Sequence, residues 1–107
     1  MQLSDLVFVG FGKRVVALYR DTGEIFWQWT APRGTGYAAV LLDGDRLIVS
    51  VMGYTYCLDP ATGTALWENE LKGLGTGVAS LASVRGYSGL QREAAAQIAE
   101  QQQHTGS

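Results

Sequence analysis

Apolar residues run along this chain in short bursts, rich in β-branched and aromatic side chains, each closed by a glycine-containing turn. Leu6–Gly10 is the first burst, bounded by Gly10 and Gly12. Arg14–Arg20 follows and ends in Asp21, Thr22 and Gly23, where glycine is free to take a positive φ. Ile25–Thr30 places Phe26 on one face and Trp27 on the other. After the loop Pro32–Gly36 come Tyr37–Leu42 and Arg46–Val51, joined by Asp43, Gly44 and Asp45. Thr55–Asp59 and Ala65–Leu71 flank Pro60, Ala61, Thr62 and Gly63, and Val78–Val84 is the last. No helical period separates these segments. The pattern predicts an antiparallel all-β fold.

The chain also repeats itself. Displaced by about 40 residues, Asp5–Val9 falls on Asp45–Val49, Leu18 on Leu58, Thr22 and Gly23 on Thr62 and Gly63, and Trp27 on Trp67. One further residue of offset brings Gly34–Val40 onto Gly75–Leu81. The copies occupy about residues 5–44 and 45–84, so that 1–84 forms the repeat region and 85–107 a linker and tail. A unit of this length, with four strands and a recurring tryptophan, is the signature of a propeller blade. With strands lettered A to D outward from the axis, the order is B-C-D, then A-B-C-D, then a lone A at Val78–Val84. The first blade lacks its innermost strand, and the final strand belongs to a blade that these residues do not continue.

The two units resemble a known family. Ala17–Trp27 and Cys57–Trp67 look like the tryptophan-docking repeat, Ala-x-Asp-x-x-Thr-Gly-x-x-x-Trp, of the pyrroloquinoline-quinone (PQQ)-like β-propellers. The resemblance spans roughly residues 5–84; Tyr19 replaces the Asp in one copy, and Cys57 replaces the Ala in the other. It implies that each Trp packs between blades on the Thr-Gly turn of its neighbour. Thr22, Gly23, Trp27, Thr62, Gly63 and Trp67 are then the inter-blade docking residues. Propellers close with 4 to 8 blades, and two would leave apolar faces and a strand edge bare. The expectation is a homo-oligomeric ring closed by heterologous contacts. Three chains would give six blades and four would give eight. Quinoprotein-like propellers often have eight, so a tetramer is preferred to a trimer. Ala38, Ala39, Ala79 and Ser80 would crowd the axis. Gly34, Thr35 and Gly36, with Gly75, Thr76 and Gly77, would ring one channel mouth. They lack the following helix that a phosphate cradle needs.

Composition narrows the function. Of 107 residues 14 are Gly, and only 17% are charged against about 25% in ordinary domains. The formal charge of −2 offers no footprint for nucleic acid, and no apolar run approaches the ~20 residues of a membrane helix. Met1–Asp5 has no basic leader pattern, which points to the cytoplasm; a virion is the other setting considered. A single cysteine, Cys57, excludes an internal disulfide framework, and the one histidine, His104, lies outside the repeats. Resemblance to PQQ-dependent dehydrogenases would imply a calcium-bound quinone, an Asp base and often a disulfide of adjacent cysteines. No such Cys pair exists here, and Asp5, Asp21, Asp43, Asp45 and Asp59 fall at predicted turns. No catalytic, cofactor or metal residue is therefore assigned, and the chain is expected not to be an enzyme.

Two functions remain. The first is a non-catalytic propeller ring acting as a protein-interaction or structural scaffold, as in a larger assembly such as a phage particle. The wider family includes a cofactor-free member that serves as a platform in outer-membrane protein assembly, so the fold does not require chemistry. The second is a lectin-like propeller whose inter-blade pockets are lined by Trp29, Tyr54 and Tyr56. In the tail, Ser88 and Gln91 form a capping box, with Leu90, Ala94 and Ile98 on one helical face. That predicts a C-terminal helix at 88–107 docking on the ring or on a protein partner.

Overall fold

The computed structural model describes residues 1–84 and shows seven strands in two antiparallel sheets. β1 (Leu6–Phe11), β2 (Arg14–Tyr19) and β3 (Ile25–Thr30) form the first sheet in that order. β4 (Ala38–Asp43), β5 (Arg46–Val51), β6 (Tyr54–Leu58) and β7 (Ala65–Asn69) form the second. Helical backbone among the described residues is confined to one 3₁₀ turn at Leu3–Asp5. The carbonyl of Asp5 accepts from the Arg20 amide at 2.8 Å, tying the chain start to the far end of β2.

The internal repeat survives down to its irregularities. Val9 opposes Val16 in the first sheet as Val49 opposes Tyr56 in the second. The pairing register slips between Ala17 and Leu18, and again 40 residues on between Cys57 and Leu58. The turns after these bulges are copies. Gly23 and Gly63 both have φ +78°. Their amides donate to Tyr19 and Asp59 carbonyls at 2.8 Å, and the Thr22 and Thr62 hydroxyls each accept an amide two residues on at 3.2 Å. Equal turn chemistry has produced equal geometry.

The core lies between the sheets. Val15, Ala17, Trp27 and Ala31 from the first meet Leu47, Val49, Val51, Tyr56 and Leu58 from the second. Alternation along each strand sends every second residue to this layer.

The strands predicted at Tyr37–Leu42, Thr55–Asp59 and Ala65–Leu71 differ from those observed by one or two residues at their ends. Val78–Val84 differs more, because it forms no strand and carries only an isolated bridge at Ala82. Strand propensity needs a neighbour with a free edge. The repeat would place this segment beside a strand of the β1 or β5 type, and β5 is already paired on both sides, to β4 and β6. The first sheet accordingly has three strands and the second four. The helix expected at 88–107 lies outside the described residues.

Leu47 is 1% exposed between the sheets. Leu47→Ala is expected to lower the unfolding free energy by about 2–5 kcal/mol in urea titration, the range for emptying a buried leucine site.

Candidate functional site

The contact that joins the two sheets is built on Trp27. Its cross-strand partner is Ala17, fully buried, whose small side chain leaves the ring room to lie flat. Phe8 flanks it with ring centroids 6.0 Å apart. The indole Nε1 crosses to the second sheet and donates to the Pro60 carbonyl at 2.8 Å in a buried hydrogen bond. The ring then covers Gly63, where an added Cβ would stand 2.7 Å from Cδ2 and Cε3. Glycine is required there twice over, by a positive φ and by this approach. The turn is held rigid for the ring. Asp59 Oδ1 accepts from the Ala61 amide at 2.9 Å, while the Asp59 amide donates to Thr64 at 2.8 Å.

The repeat-equivalent residues are not brought together. Trp67 is 49% exposed, and no atom lies within 4 Å of a Cβ built on Gly23. Thus Trp27 and Gly63 share one contact, with Thr62 bonded to Thr64 in the same turn, while Trp67 stands at one end of the chain's layers and Thr22 and Gly23 at the other. Tyr19, which replaces the motif Asp, offers no carboxylate to its turn and instead packs on Phe26 at 5.3 Å.

Both Gly-Thr-Gly loops run to the end of the second sheet where β5 turns into β6. A Cβ on Gly34 would meet the Val51 carbonyl at 2.8 Å, and one on Gly53 the Gly75 carbonyl at 2.9 Å. Gly36 lies nearest Met52. A cleft of about 230 Å³ there is walled by Ser50, Gly53, Gly75, Thr76, Gly77 and Ala79. Gly34, Thr35, Gly36, Gly75, Thr76 and Gly77 thereby gather at one end of the molecule.

The three aromatics proposed to face a ligand separate. Trp29 and Tyr56 meet edge to face at 4.9 Å. Tyr56 is 1% exposed and donates to the Arg33 carbonyl at 3.2 Å, so it belongs to the core more than to the surface. With Pro32, Leu66, Trp67 and Glu68 the pair floors a shallow cleft of about 230 Å³. Tyr54 lies apart, against Gly34.

Charged groups serve local structure. Asp5 accepts from the Gln2 amide, Asp21 pairs with Arg20, Asp45 with Arg46, and Glu70 with both Arg33 and Lys72. Among the described residues no cluster of three or more His, Cys, Asp or Glu is placed to hold a metal ion, and no helix is long and apolar enough to cross a membrane.

The Pro60 carbonyl is the functional group that sequence reasoning missed. It is a backbone atom, so residue type carries no sign of it. Ala17 did carry a sign, as the small first residue of the motif.

Two predictions follow from this geometry. Gly63→Ala is expected to destabilise the isolated chain by more than the ~1–2 kcal/mol that a left-handed residue alone costs. Gly23→Ala is expected to cost only that amount, because nothing faces it; denaturant titration of both compares them directly. Burial also pushes the Cys57 thiol and the Tyr56 phenol above their ordinary values. The unfolded chain therefore ionises first. Stability is expected to be unaffected by these groups at neutral pH and to fall as pH passes ~8.5 for the thiol and ~10 for the phenol. Cys57→Ala should remove the earlier part of that fall in melts at graded pH.

Comparison with known proteins agrees with the repeat. No curated protein sequence matches this chain. A family model described as outer membrane protein assembly factor BamB matches residues 11–106, covering most of the first repeat, the whole of the second and the segment beyond. The chain belongs to this PQQ-like repeat family.

Proposed function

We propose that this chain is a non-catalytic, propeller-forming scaffold whose two sheets are blades, working through protein–protein contact in a ring of several copies. The observation that carries the reading is the buried Trp27 contact, which stacks one repeat on the next through an indole–carbonyl bond and a glycine turn. The family description, that of an outer membrane protein assembly factor, supports it. Surface chemistry supports it too. Val7, Val9, Phe11 and Ile25 expose 41–75% of their surface on the first sheet, and Leu66 and Trp67 nearly half of theirs on the second. Apolar area of this kind marks an interaction surface. Asp5, Asp21, Asp45, Asp59 and Glu70 are engaged in turns and surface pairs, and Cys57 is a buried thiol, poorly suited to nucleophilic work.

The aromatic cleft at Trp29, Tyr56 and Trp67 is the feature a carbohydrate would use, and it sustains lectin activity as a second reading. Two measurements separate these. Native mass spectrometry of the full chain should show four copies; three would correct the blade count alone. A stable monomer that binds a sugar saturably on a glycan array would replace the scaffold with the lectin.

A further inference from the structure

The two sheets meet closely at one pair of edges and part at the other. At β1 and β4 the backbones nearly touch, since a Cβ on Gly10 would stand 2.7 Å from the Ala38 carbonyl. The opposite edges are β3 and β7, each laddered on one side only. Between them lies the cleft of about 230 Å³ whose walls include Trp29, Pro32, Tyr56, Leu66 and Glu68. Tyr56 is its floor, buried and held by the edge-to-face contact with Trp29 and the bond to the Arg33 carbonyl. Trp29 is half-buried, and Pro32, Leu66 and Glu68 are exposed, so the cleft opens to solvent.

Glu68 gives this cleft its chemistry. It is the cross-strand partner of Tyr56, so the two side chains stand on one face of the sheet. Burial pushes the phenol above its ordinary value and the Glu68 charge adds to that rise, as a carboxylate close to the ring does. Two residues on, Glu70 holds both Arg33 and Lys72. Among the described residues Glu68 pairs with no cation. The basic groups nearest the cleft are thus taken by Glu70, and a second carboxylate beside an aromatic wall is left unmatched.

That combination selects a ligand. A cation is attracted by the face of a tryptophan and by a carboxylate at once. Of the two basic side chains arginine fits better, because its planar guanidinium stacks on aromatic faces and meets a carboxylate with two parallel bonds. Its aliphatic stem would lie along apolar walls, which Pro32 and Leu66 supply.

We infer, resting on the scaffold reading above, that this cleft binds an arginine side chain of a partner protein, with the guanidinium on the Trp29 ring and against the Glu68 carboxylate. The partner surface is basic at this point, by charge complementarity to Glu68. The site lies within one copy of the chain, between its own two sheets, so it does not depend on how many copies assemble.

The probe is the blocked tripeptide Gly-Arg-Gly, titrated into the full ¹⁵N-labelled chain and followed by the Trp29 indole and Leu66 amide signals. Both should shift saturably. The same peptide with citrulline, which keeps the shape and loses the charge, should bind about 3-fold more weakly or worse, and so should the arginine peptide on Glu68→Gln, the scale of an exposed ion pair. Trp29→Leu should weaken binding by a similar factor; if it fails to fold, the exposed Glu68→Gln decides alone. Glu24→Gln, an exposed carboxylate before β3, should leave the affinity unchanged.

A citrulline peptide that binds as well as the arginine peptide would overturn the inference, as would unchanged affinity in Glu68→Gln. A cleft that ignores the arginine peptide and takes a glycan would overturn it in favour of the lectin. A chain that is monomeric by native mass spectrometry yet shows the charge-dependent binding would remove the ring and leave the arginine site standing. A ring of copies without that binding would do the reverse.

Discussion

Everything in this molecule turns on one indole ring lying on one glycine. Trp27 gives up a large apolar surface to the space between the sheets and places its single donor on a carbonyl 33 residues away in sequence. A buried indole N–H left unpaired would cost the desolvation of that group. The bond to Pro60 removes that cost and also fixes where the second sheet sits. The carbonyl can be reached only because Gly63 has no side chain under the ring. Packing and hydrogen bonding thus select the same geometry.

That contact matters because a sheet of three or more strands draws its stability from a hydrophobic face, and here each sheet buries that face on the other. In each sheet one face is covered and the other carries valine, phenylalanine or tryptophan. A repeat protein solves the burial problem by stacking, with each unit shielding its neighbour. Two units shield one pair of faces and leave the other pair open, and that open apolar area is what supports the proposed interaction role.

The departures from the repeat motif fall where the geometry can absorb them. Asp59 anchors its turn through Ala61, whereas Tyr19 gives up that side-chain bond and gains a ring contact with Phe26. The two backbone bonds that close each turn nevertheless recur at 2.8 Å in both copies. Cys57 stands where the first repeat has Ala17, opposite a tryptophan in both cases. A small side chain is what the position demands, and sulfur meets it.

Residue order alone was enough for the local and the periodic: seven of the eight expected strands, their turns, the displacement of about 40 residues and the pairing of each Thr-Gly turn with a tryptophan five or four residues later. These are set by β-propensity, by glycine at positive φ and by alternation, all of which act over a few residues. Which tryptophan is covered depends on the packing of one sheet on the other. Trp27 and Trp67 sit in near-identical local sequence, and their difference arises because a second sheet stands beside one and not the other. The tertiary structure alone revealed the Pro60 carbonyl, since backbone acceptors have no residue signature. It drew Tyr56 from a supposed ligand surface into the core, through a face of β6 that meets Trp29. And it left Val78–Val84 without a strand, because a ladder is made by two segments and propensity speaks for only one.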